Sequence, residues 1–501
     1  MSVALLIACV GVAFVWFYLY LTAYHNFWKK RGIPGLKPEL AFGNVRMMMT
    51  GKESLPALIT RLYYEFGNEP LIGFFVRRRP VLLIKDVDLI KEVLIKDFSK
   101  FADRGIFATD PANPISDHLF ALEERRWRPL RTHLSPVFTS GKLKGTFALI
   151  LECTKHLEES LDKLVAKGEP IEVKDLASRF TIDVIGSCGF GIEMNSLSET
   201  NNEFLRVGKM MFATNFYRVL RIRIQQILPV FHRLLSYVLP PDKEINGLIM
   251  KIIRETLEYR EKNNIVRPDF MNTLLELKRH PEKVGDIELT EGLLAAQAFV
   301  FFAAGFETSS TTIANTLYEL AINQEIQNKL RDEIREFEEK NQGEWKYETI
   351  KQMKYLHKVF SETLRKYPSL PFLSRVTTED YKFNGIDLSL PKDSMVWIPI
   401  FAIHKDPNIY PDPEKYDPER FSEEMCEQRN QFHYLPFGHG PRNCIGARFA
   451  NYQTKIGLIK ILRKHKVDVC DQTPFPYEYD RFAFVLSPGK SLYLKVTKID
   501  K

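Results

Sequence analysis

The chain begins with one long apolar stretch. Val3–Leu21 is almost entirely apolar, and no Asp, Glu, Lys or Arg occurs before Lys29, Lys30 and Arg31. A helix of about 20 apolar residues spans the hydrocarbon core of a bilayer. Aromatic side chains gather toward the end of the stretch, as at a membrane interface; they are Trp16, Tyr18, Tyr20, Tyr24 and Trp28. The pattern predicts a transmembrane anchor over 1–28, with the following residues on the cytosolic side.

A cleaved signal peptide is the alternative reading of this segment. It fits less well because the segment has no basic start and ends in bulky aromatics instead of small residues. The sequence also has no N-x-S/T acceptor site, which a protein exposed to the lumen often carries. We therefore expect the segment to remain as an anchor.

The rest of the chain reads as helices with a few strands. Residues 29–40 are basic and contain Pro and Gly, which predicts a stiff turn after the anchor. The strand-like runs are Leu71–Phe75, Pro80–Ile84, Met395–Ile400 and Leu492–Val496, the first two forming a hairpin around Arg77–Arg79. The helical patterns are Val87–Ile95, Thr146–Ala166, Asn246–Asn263, Thr290–Gln324, Ile326–Lys340, Lys351–Lys366 and Gly446–Lys464. We expect a mainly α fold with a small β region and one catalytic domain over 41–501.

Composition excludes several classes of protein. Of the 501 residues, 45% are hydrophobic and 27% are charged, which excludes a disordered or low-complexity chain. The net charge of +7 is mild for this length and does not indicate dedicated nucleic-acid binding. The six cysteines are dispersed without a C-x-x-C, so a reducing compartment fits better than a disulfide framework. Neither a phosphate-binding loop nor a G-x-G-x-x-G occurs, so an ATP or NAD(P)H site is not expected in this chain.

The clearest candidate for chemistry is Cys444. It lies in a loop rich in Gly and Pro, Phe437–Gly446, directly before a helical pattern. A thiolate at a helix amino terminus is stabilised by backbone N–H groups and the helix dipole. An ordinary buried cysteine would explain Cys444 alone, but not the five spaced positions F-x-x-G-x-R-x-C-x-G. The nearby His433 and His439 lack a second pair of ligands, which argues against zinc.

Two further patterns lie upstream. Glu362 and Arg365 are spaced i and i+3, so they share a helix face; alone, such a pair is usually solvated. In the helix predicted over Thr290–Gln324, an apolar stretch gives way to the polar run Glu307–Thr312. Hydroxyl side chains there can bond the i−4 carbonyl, and Gly305 permits a local opening of the backbone. The alternative is a plain core helix.

Together these motifs resemble the cytochromes P450. The matching segments, in the order of that family, are Trp127-x-x-x-Arg131, Ala304–Thr308, Glu362-x-x-Arg365, Pro418–Phe421 and Phe437–Gly446. The residues of the loop and of the long helix are most similar to those of insect microsomal P450s that oxidise plant toxins and insecticides. The vertebrate drug-oxidising P450s are the second most similar group. The hinge contains fewer prolines than is usual in the family.

The resemblance implies the P450 fold, haem b as cofactor, and a role for each motif. Cys444 would be the axial ligand of the haem iron, and Thr308 and Glu307 would serve protonation of bound oxygen. The other cofactor-binding residues would be Arg442, Arg375, Arg131 and Trp127 at the propionates, Phe437 in the loop, and Ala304 and Gly305 in the oxygen groove. Glu362, Arg365 and Arg420 would form a buried structural network.

The resemblance also places a substrate pocket, with a wall rich in phenylalanine. The pocket residues would be Phe107, Phe120, Phe212, Phe301, Leu370, Phe372 and Phe484. Aromatic walls suit flat, apolar substrates. The chain has 36 phenylalanines, however, so plain core packing is the alternative for each of them.

Because a nucleotide site is not expected, electrons must come from another protein. The resemblance implies a membrane-bound NADPH–cytochrome P450 reductase, with cytochrome b5 as an optional second donor. We expect docking at a basic cluster, whose members are Arg125, Arg126, Arg128, Lys142 and Lys144. The predicted function is monooxygenation of small apolar substrates at the cytosolic face of the endoplasmic reticulum. The alternatives are a P450 acting on endogenous lipids, fatty acids or hormones, a reductase-independent isomerase or dehydratase, and a haem carrier or sensor without catalysis.

Overall fold

The computed structural model describes residues 3–107, 109–110, 113–199, 202–212, 243–267 and 269–499. These residues form two compact units. The smaller unit comprises the described residues up to Ile106 together with Pro371–Ile403 and His439–Pro441. The larger unit comprises those within Phe107–Leu370, His404–Gly438 and Arg442–Lys501.

Helices make up most of the described chain, as the sequence predicts. In the first half they are α1 Val3–Thr22, α2 Arg46–Met49, α3 Leu55–Glu65, α4 Val87–Lys91, α5 Glu124–Leu134, α6 Ser140–Val165, α7 Val173–Ile185, α8 Glu203–Phe212 and α9 Lys243–Lys262. They continue as α10 Phe270–Arg279, α11 Glu291–Ile322, α12 Gln324–Lys340, α13 Tyr347–Gln352, α14 Lys354–Lys366, α15 Ile400–Ile403, α16 Glu423–Gln428 and α17 Ala447–Leu462.

The strands form three small sheets. The strands are β1 Leu71–Val76, β2 Arg79–Ile84, β3 Ile171–Glu172, β4 Leu373–Val376, β5 Tyr381–Lys382, β6 Ser389–Leu390, β7 Met395–Ile398, β8 His465–Asp468 and β9 Tyr493–Lys498. The sheet orders are β1-β2-β7-β4, β3-β9-β8 and β5-β6. β1 and β2 form an antiparallel hairpin, whose last pair is Val76 opposite Arg79, while β2 and β7 run parallel. The predicted hairpin and the late strands are confirmed.

Some predicted helix bounds are wrong for local reasons. The helix predicted from Thr146 begins at Ser140, because the helix includes the two glycines Gly141 and Gly145. The helix predicted over Lys351–Lys366 divides into α13 and α14 at Met353, whose backbone is extended and whose side chain is fully buried. Burial of that apolar side chain favours the break over a continuous helix.

The two long apolar helices differ in their surroundings. α1 is apolar throughout and none of its described residues is buried, as expected for a segment that contacts lipid. α11 is also long and apolar enough to span a membrane, but most of it is buried inside the larger unit. Thr290 caps it, since its Oγ1 accepts the Leu293 N–H at 3.1 Å. α11 is therefore a core helix.

Trp28 corrects one detail of the predicted interfacial band. Its side chain is only 3% exposed, and its Nε1 donates to Phe74 O at 3.0 Å. A Cβ on Gly73 would lie 2.3 Å from the indole, so only glycine fits beneath the ring. Trp28 therefore fixes the chain after the anchor to β1 instead of lying at the membrane interface.

Candidate functional site

The loop before α17 presents Cys444. Its backbone N–H donates to Phe437 O at 2.8 Å, which closes the loop, and its side chain is exposed. Gly438 has a φ of 69°, a left-handed conformation that favours glycine. The helix that follows begins three residues later, at Ala447. The thiol is therefore accessible to a bound group beside the positive end of a 16-residue helix dipole.

A guanidinium on α5 holds this loop. Arg131 donates from Nη1 to Asn443 O and from Nη2 to Asn443 Oδ1, each at 3.0 Å. Burial lowers the pKa of Arg131, and the charge of Cys444 opposes that shift. A cation at this position stabilises a thiolate. Arg131 thus contacts the residue beside Cys444, and the motif pattern does not single out Asn443 as its partner.

Two more of the predicted cofactor residues meet in the larger unit. Arg442 is 1% exposed, and it donates to the backbone oxygen of Leu122. Its guanidinium carbon lies 4.8 Å from the ring centroid of Trp127, which is also buried. The indole thus orients the cation. Arg375 belongs to the smaller unit, where it is buried on β4 and donates to Ser374 O at 2.8 Å.

One face of α11 opens while the helix around it is buried. Ala304 is exposed and Thr308 is half-buried, whereas Phe306 and Ser309 are buried. Thr308 Oγ1 donates to Ala304 O at 2.7 Å, the predicted i−4 bond, and Thr312 repeats it with Thr308 O at 2.8 Å. This face can accept a bound group next to a hydroxyl.

Gly305 serves helix packing. α11 runs as an uninterrupted helix through this glycine, so the expected local opening of the backbone is absent from the described helix. A Cβ there would lie 2.4 Å from Cδ1 of Ile185. The glycine therefore permits α7 to pack closely against α11.

Glu307 does not face the same way as Thr308. Its Oε2 lies 3.1 Å from Lys174 Nζ on α7, and its Oε1 accepts a 3.4 Å bond from Thr311 Oγ1. Lys174 also donates to Ser310 Oγ at 2.6 Å. Burial lowers the pKa of Lys174, and Glu307 opposes this shift. Lys174 lies far from Glu307 in sequence, so periodicity offered no signal for this buried ion pair.

Glu362 and Arg365 form the centre of a buried network. Both side chains are fully buried, with Arg365 Nε and Nη2 at 2.7 and 2.9 Å from the two carboxylate oxygens. Arg365 Nη1 donates to His404 O at 2.9 Å, and Asp417 N donates to Glu362 Oε1 at 2.9 Å. Arg420 lies 3.6 Å from the same oxygen. The network ties α14 to the segment that precedes the cysteine loop.

The predicted pocket residues fall into separate groups. The Phe107 ring lies 6.0 Å from that of Phe120 and 5.3 Å from that of Phe484, so these three form one aromatic cluster. Phe301 instead stacks on Phe270 at 4.5 Å, within the aromatic core of the larger unit.

The remaining pocket residues have other neighbours. The ring of Phe212 lies 5.9 Å from that of Phe306, and Leu370 is half-buried. Phe372 is buried in the smaller unit and stacks on Trp397 at 3.7 Å.

The side chains at this site suit a metal that is held within a cofactor better than a bare metal ion. Within the described ranges, no group of three or more His, Cys, Asp or Glu side chains could hold a bare metal ion. Cys444 offers one accessible sulfur, and Arg131 and Arg442 supply cations for an anionic group. A Cβ on Gly446 would meet only Phe138, at 3.8 Å, so there is room beside this residue. These residues suit haem with a thiolate ligand.

Comparison with known proteins agrees with this site. The family model described as Cytochrome P450 matches residues 33–496. Probable cytochrome P450 6a14 of Drosophila melanogaster is 42% identical, over 98% of this chain and 99% of its own length. Cytochrome P450 6A1 of Musca domestica is 41% identical over 95% and 94%, and cytochrome P450 6k1 of Blattella germanica is 40% identical over 96% and 94%. With Cys444 presented before α17 and the match covering nearly the whole chain, the protein belongs to the cytochrome P450 family and is a haem-containing monooxygenase.

Proposed function

We propose that this protein inserts one atom of dioxygen into small apolar substrates, among them plant toxins and insecticides, with electrons that NADPH delivers through a separate reductase. The observation that carries the proposal is the accessible thiol of Cys444, held by the Asn443–Arg131 contact before α17. The substrate class follows from the resemblance to insect P450s that oxidise plant toxins and insecticides, and the three similar relatives are likewise insect cytochromes P450.

Haem b is the proposed cofactor, and when bound it supplies the activation of dioxygen. Cys444 would ligate its iron as a thiolate. Arg442 and Trp127 would meet a propionate together, since the indole already orients the guanidinium. Arg375 and Arg131 would complete the set of cations, and Phe437 would pack beside the sulfur. A haem propionate is an anion that charge-assisted bonds from arginine bind well.

Thr308 is proposed to position a proton-bearing water. Its hydroxyl hydrogen is committed to Ala304 O, which leaves the oxygen lone pairs free to accept from water. Delivering a proton then requires the hydroxyl to leave the Ala304 carbonyl. Glu307 is proposed to supply the next proton to Thr308. Its contact with Lys174 must open for the carboxylate to take up that proton.

The substrate is proposed to bind against Phe107, Phe120 and Phe484. Phe107 is 44% exposed, a large apolar surface left to solvent in a cluster of aromatic rings. Such surfaces mark binding sites for apolar ligands. Flat or aromatic substrates would use the ring faces.

The reductase is proposed to dock on the basic cluster, but only part of that cluster carries uncompensated charge. Arg126 pairs with Asp117 and Glu123, each at 2.6 Å. Arg128 pairs with Glu124, and Lys144 pairs with Glu348.

Arg125 and Lys142 form no ion pair with the described acidic residues, so they are the cations best able to attract an acidic partner. A cleft of about 600 Å³ beside Phe437 offers further cations, since it is lined by Lys351 and Arg448 and by no described Asp or Glu. Cytochrome b5 would compete for the same charges.

α1 is proposed to anchor the protein in the endoplasmic reticulum membrane. Its 20 residues match the thickness of the hydrocarbon core, and Lys29 and Lys30 follow it. By the positive-inside rule, the catalytic domain faces the cytosol.

A carbon monoxide difference spectrum of the dithionite-reduced, membrane-expressed protein tests thiolate ligation. We expect a far red-shifted Soret band in the wild type and in Cys426→Ala, another exposed cysteine, and no such band in Cys444→Ala. A folded, haem-loaded wild type without that band would overturn the assignment of Cys444.

Product formation in the presence and absence of NADPH and reductase separates the reaction classes. A monooxygenase consumes NADPH with its substrate, and Thr308→Ala should lower product per NADPH by about tenfold or more, because proton delivery fails. Full turnover without reductase would identify an isomerase or dehydratase instead. Haem reduction without turnover of any substrate would favour a carrier or sensor.

Charge reversal tests the docking surface. Arg125→Glu and Lys142→Glu should slow reduction by the reductase and weaken its salt dependence, whereas Arg335→Glu, at an exposed arginine of α12 outside the basic cluster, should have less effect. A wild-type rate of haem reduction in Arg125→Glu and Lys142→Glu would contradict this docking surface.

A further inference from the structure

The β1–β2 hairpin contacts the end of the anchor helix. The guanidinium carbon of Arg78, in the turn of the hairpin, lies 3.5 Å from the ring centroid of Tyr20 and 5.5 Å from that of Tyr24. Tyr20 lies in the last turn of α1, which ends at Thr22. Because the 20 residues of α1 match the hydrocarbon thickness, Tyr20 lies at the level of the membrane interface. Arg78 is thereby held where lipid phosphates lie.

The turn between β1 and β2 contains Arg77 in a left-handed backbone conformation that favours other residue types. Val76 and Arg79 form the last pair of the hairpin, which leaves a turn of two residues, Arg77 and Arg78. Arg77 has a φ of 59°, a conformation that two-residue hairpins normally assign to Gly, Asn or Asp. A strained turn residue points to a functional constraint at that place.

No described acidic residue neutralises the charge of Arg78. Among the residues that the structure describes, Arg78 forms no ion pair with Asp or Glu, and its side chain is half-buried beside Tyr20. Lys29 and Lys30, which follow the anchor, are exposed. Arg31 differs, because its Nε donates to Ser389 O at 3.2 Å and its guanidinium stacks on Phe27. The sequence contains no Asp or Glu before Glu39.

From these contacts we propose that Arg78, clamped on Tyr20 and assisted by Lys29 and Lys30, binds the headgroups of anionic phospholipids. The inference rests on the proposed membrane anchor. Arginine binds phosphate through two parallel N–H groups, and stacking on an aromatic ring fixes the plane of that fork. Basic residues next to a membrane span are attracted to the negative cytoplasmic leaflet. The hairpin would thus hold the smaller unit against the membrane at a defined point.

Lipid selectivity of the full-length, haem-loaded protein tests the proposal. The protein is placed in vesicles of phosphatidylcholine with phosphatidylserine, and the immobilised fraction of spin-labelled phosphatidylserine is compared with that of spin-labelled phosphatidylcholine. We expect the wild type to prefer phosphatidylserine, and Arg78→Gln to lower that preference about two- to fivefold. Arg335→Gln, which removes an exposed arginine on α12, should leave the preference unchanged. Added salt should weaken the preference.

Two results would overturn the proposal. Wild-type selectivity in Arg78→Gln would remove the role of the hairpin, and complete loss of selectivity in Lys29→Gln/Lys30→Gln would assign the effect to the segment after the anchor. Flotation with the vesicles distinguishes failure of the anchor from failure of the hairpin. If the wild type does not float, the anchor and this proposal fail together. If all variants float and Arg78→Gln keeps its selectivity, this proposal alone fails.

Discussion

Lys174 on α7 and Glu307 on α11 form an ion pair of 3.1 Å in which both side chains are largely buried. The pair directs the Glu307 carboxylate toward α7, while its neighbour Thr308 lies on the open face of the same helix. For the carboxylate to reach the open face, its contact with Lys174 has to break. The proposed proton transfer through Glu307 would therefore require Lys174, a residue on a different helix, to move.

Replacing Lys174 should cost both stability and coupling. Lys174→Met leaves a buried carboxylate without its cation, and we expect the free energy of unfolding to fall by about 3–5 kcal/mol. The product formed per NADPH should fall as well. Denaturant unfolding and coupling assays measure the two effects.

Two controls separate the ion pair from its surroundings. Lys209→Met breaks the half-exposed pair with Asp175 and should cost less than about 1 kcal/mol. The double variant Lys174→Met/Glu307→Met should regain most of the stability but not the coupling. Normal coupling in the double variant, which lacks the Glu307 carboxylate, would contradict the role of Glu307 in proton transfer.

Two glycines of the cysteine loop should respond differently to alanine. Gly440 has a φ of 77°, and a Cβ there would lie 2.0 Å from Leu94 O, so Gly440→Ala should prevent normal folding. Gly446 has a φ of −89° and an open space where its Cβ would be. Gly446→Ala should therefore preserve the fold of the haem-free protein.

The effect of Gly446→Ala on haem is the informative measurement. If haem occupies the open space, the variant should bind it more weakly although its circular dichroism spectrum stays that of the wild type. Haem titration of the purified variants measures this. Wild-type haem affinity in Gly446→Ala would show that the cofactor does not approach the loop at this residue.

The buried network around Glu362 should control the yield of haem-loaded protein. Glu362→Gln removes the charge that compensates Arg365, and we expect a loss of about 3–5 kcal/mol because an unpaired guanidinium remains buried. Glu423→Gln, which breaks an exposed pair with Lys354, is the matched control. Haem content per protein measures the effect, and the product profile of the surviving fraction should be unchanged. An altered product profile would show that the network also shapes the pocket.

Stability should fall in mild acid because of buried histidines. Burial, reinforced by Arg365, lowers the pKa of His404 to about 3, and its neutral Nε2 accepts the Leu435 N–H at 2.9 Å. Burial and the neighbouring Lys455 lower the pKa of His357 to about 4. The unfolded chain binds these protons below about pH 6.5, whereas the folded protein does not. Each histidine therefore lowers stability by about 1.4 kcal/mol per pH unit as the pH falls from about 6.5 toward its folded pKa.

Unfolding at several pH values between 7 and about 4.5 tests this dependence. His404→Gln, whose amide oxygen can accept the Leu435 N–H, should show a shallower slope than the wild type. His280→Gln removes an exposed histidine and should keep the wild-type slope. Equal slopes in all three proteins would exclude His404 as a source of acid sensitivity.

Much of the fold and the site could be predicted because the relevant patterns are local. The length of α1, the span of α11 and the β1–β2 hairpin depend on residues close in sequence, whose periodicity and turns appear directly. The position of Cys444 three residues before α17 likewise depends on a short Gly-rich segment.

Only the tertiary structure decided which partners these residues have. Spacing put Glu362 and Arg365 on one face, but the packing of α14 buried that face. Lys174 reaches Glu307, and Ile185 occupies the space beside Gly305, because α7 packs against α11. Phe301 packs in the core, whereas Phe107 contacts Phe120 and Phe484. Residue type alone does not distinguish these phenylalanines. Periodicity identifies the face that a residue occupies, whereas burial and charge pairing depend on contacts between segments that are distant along the chain.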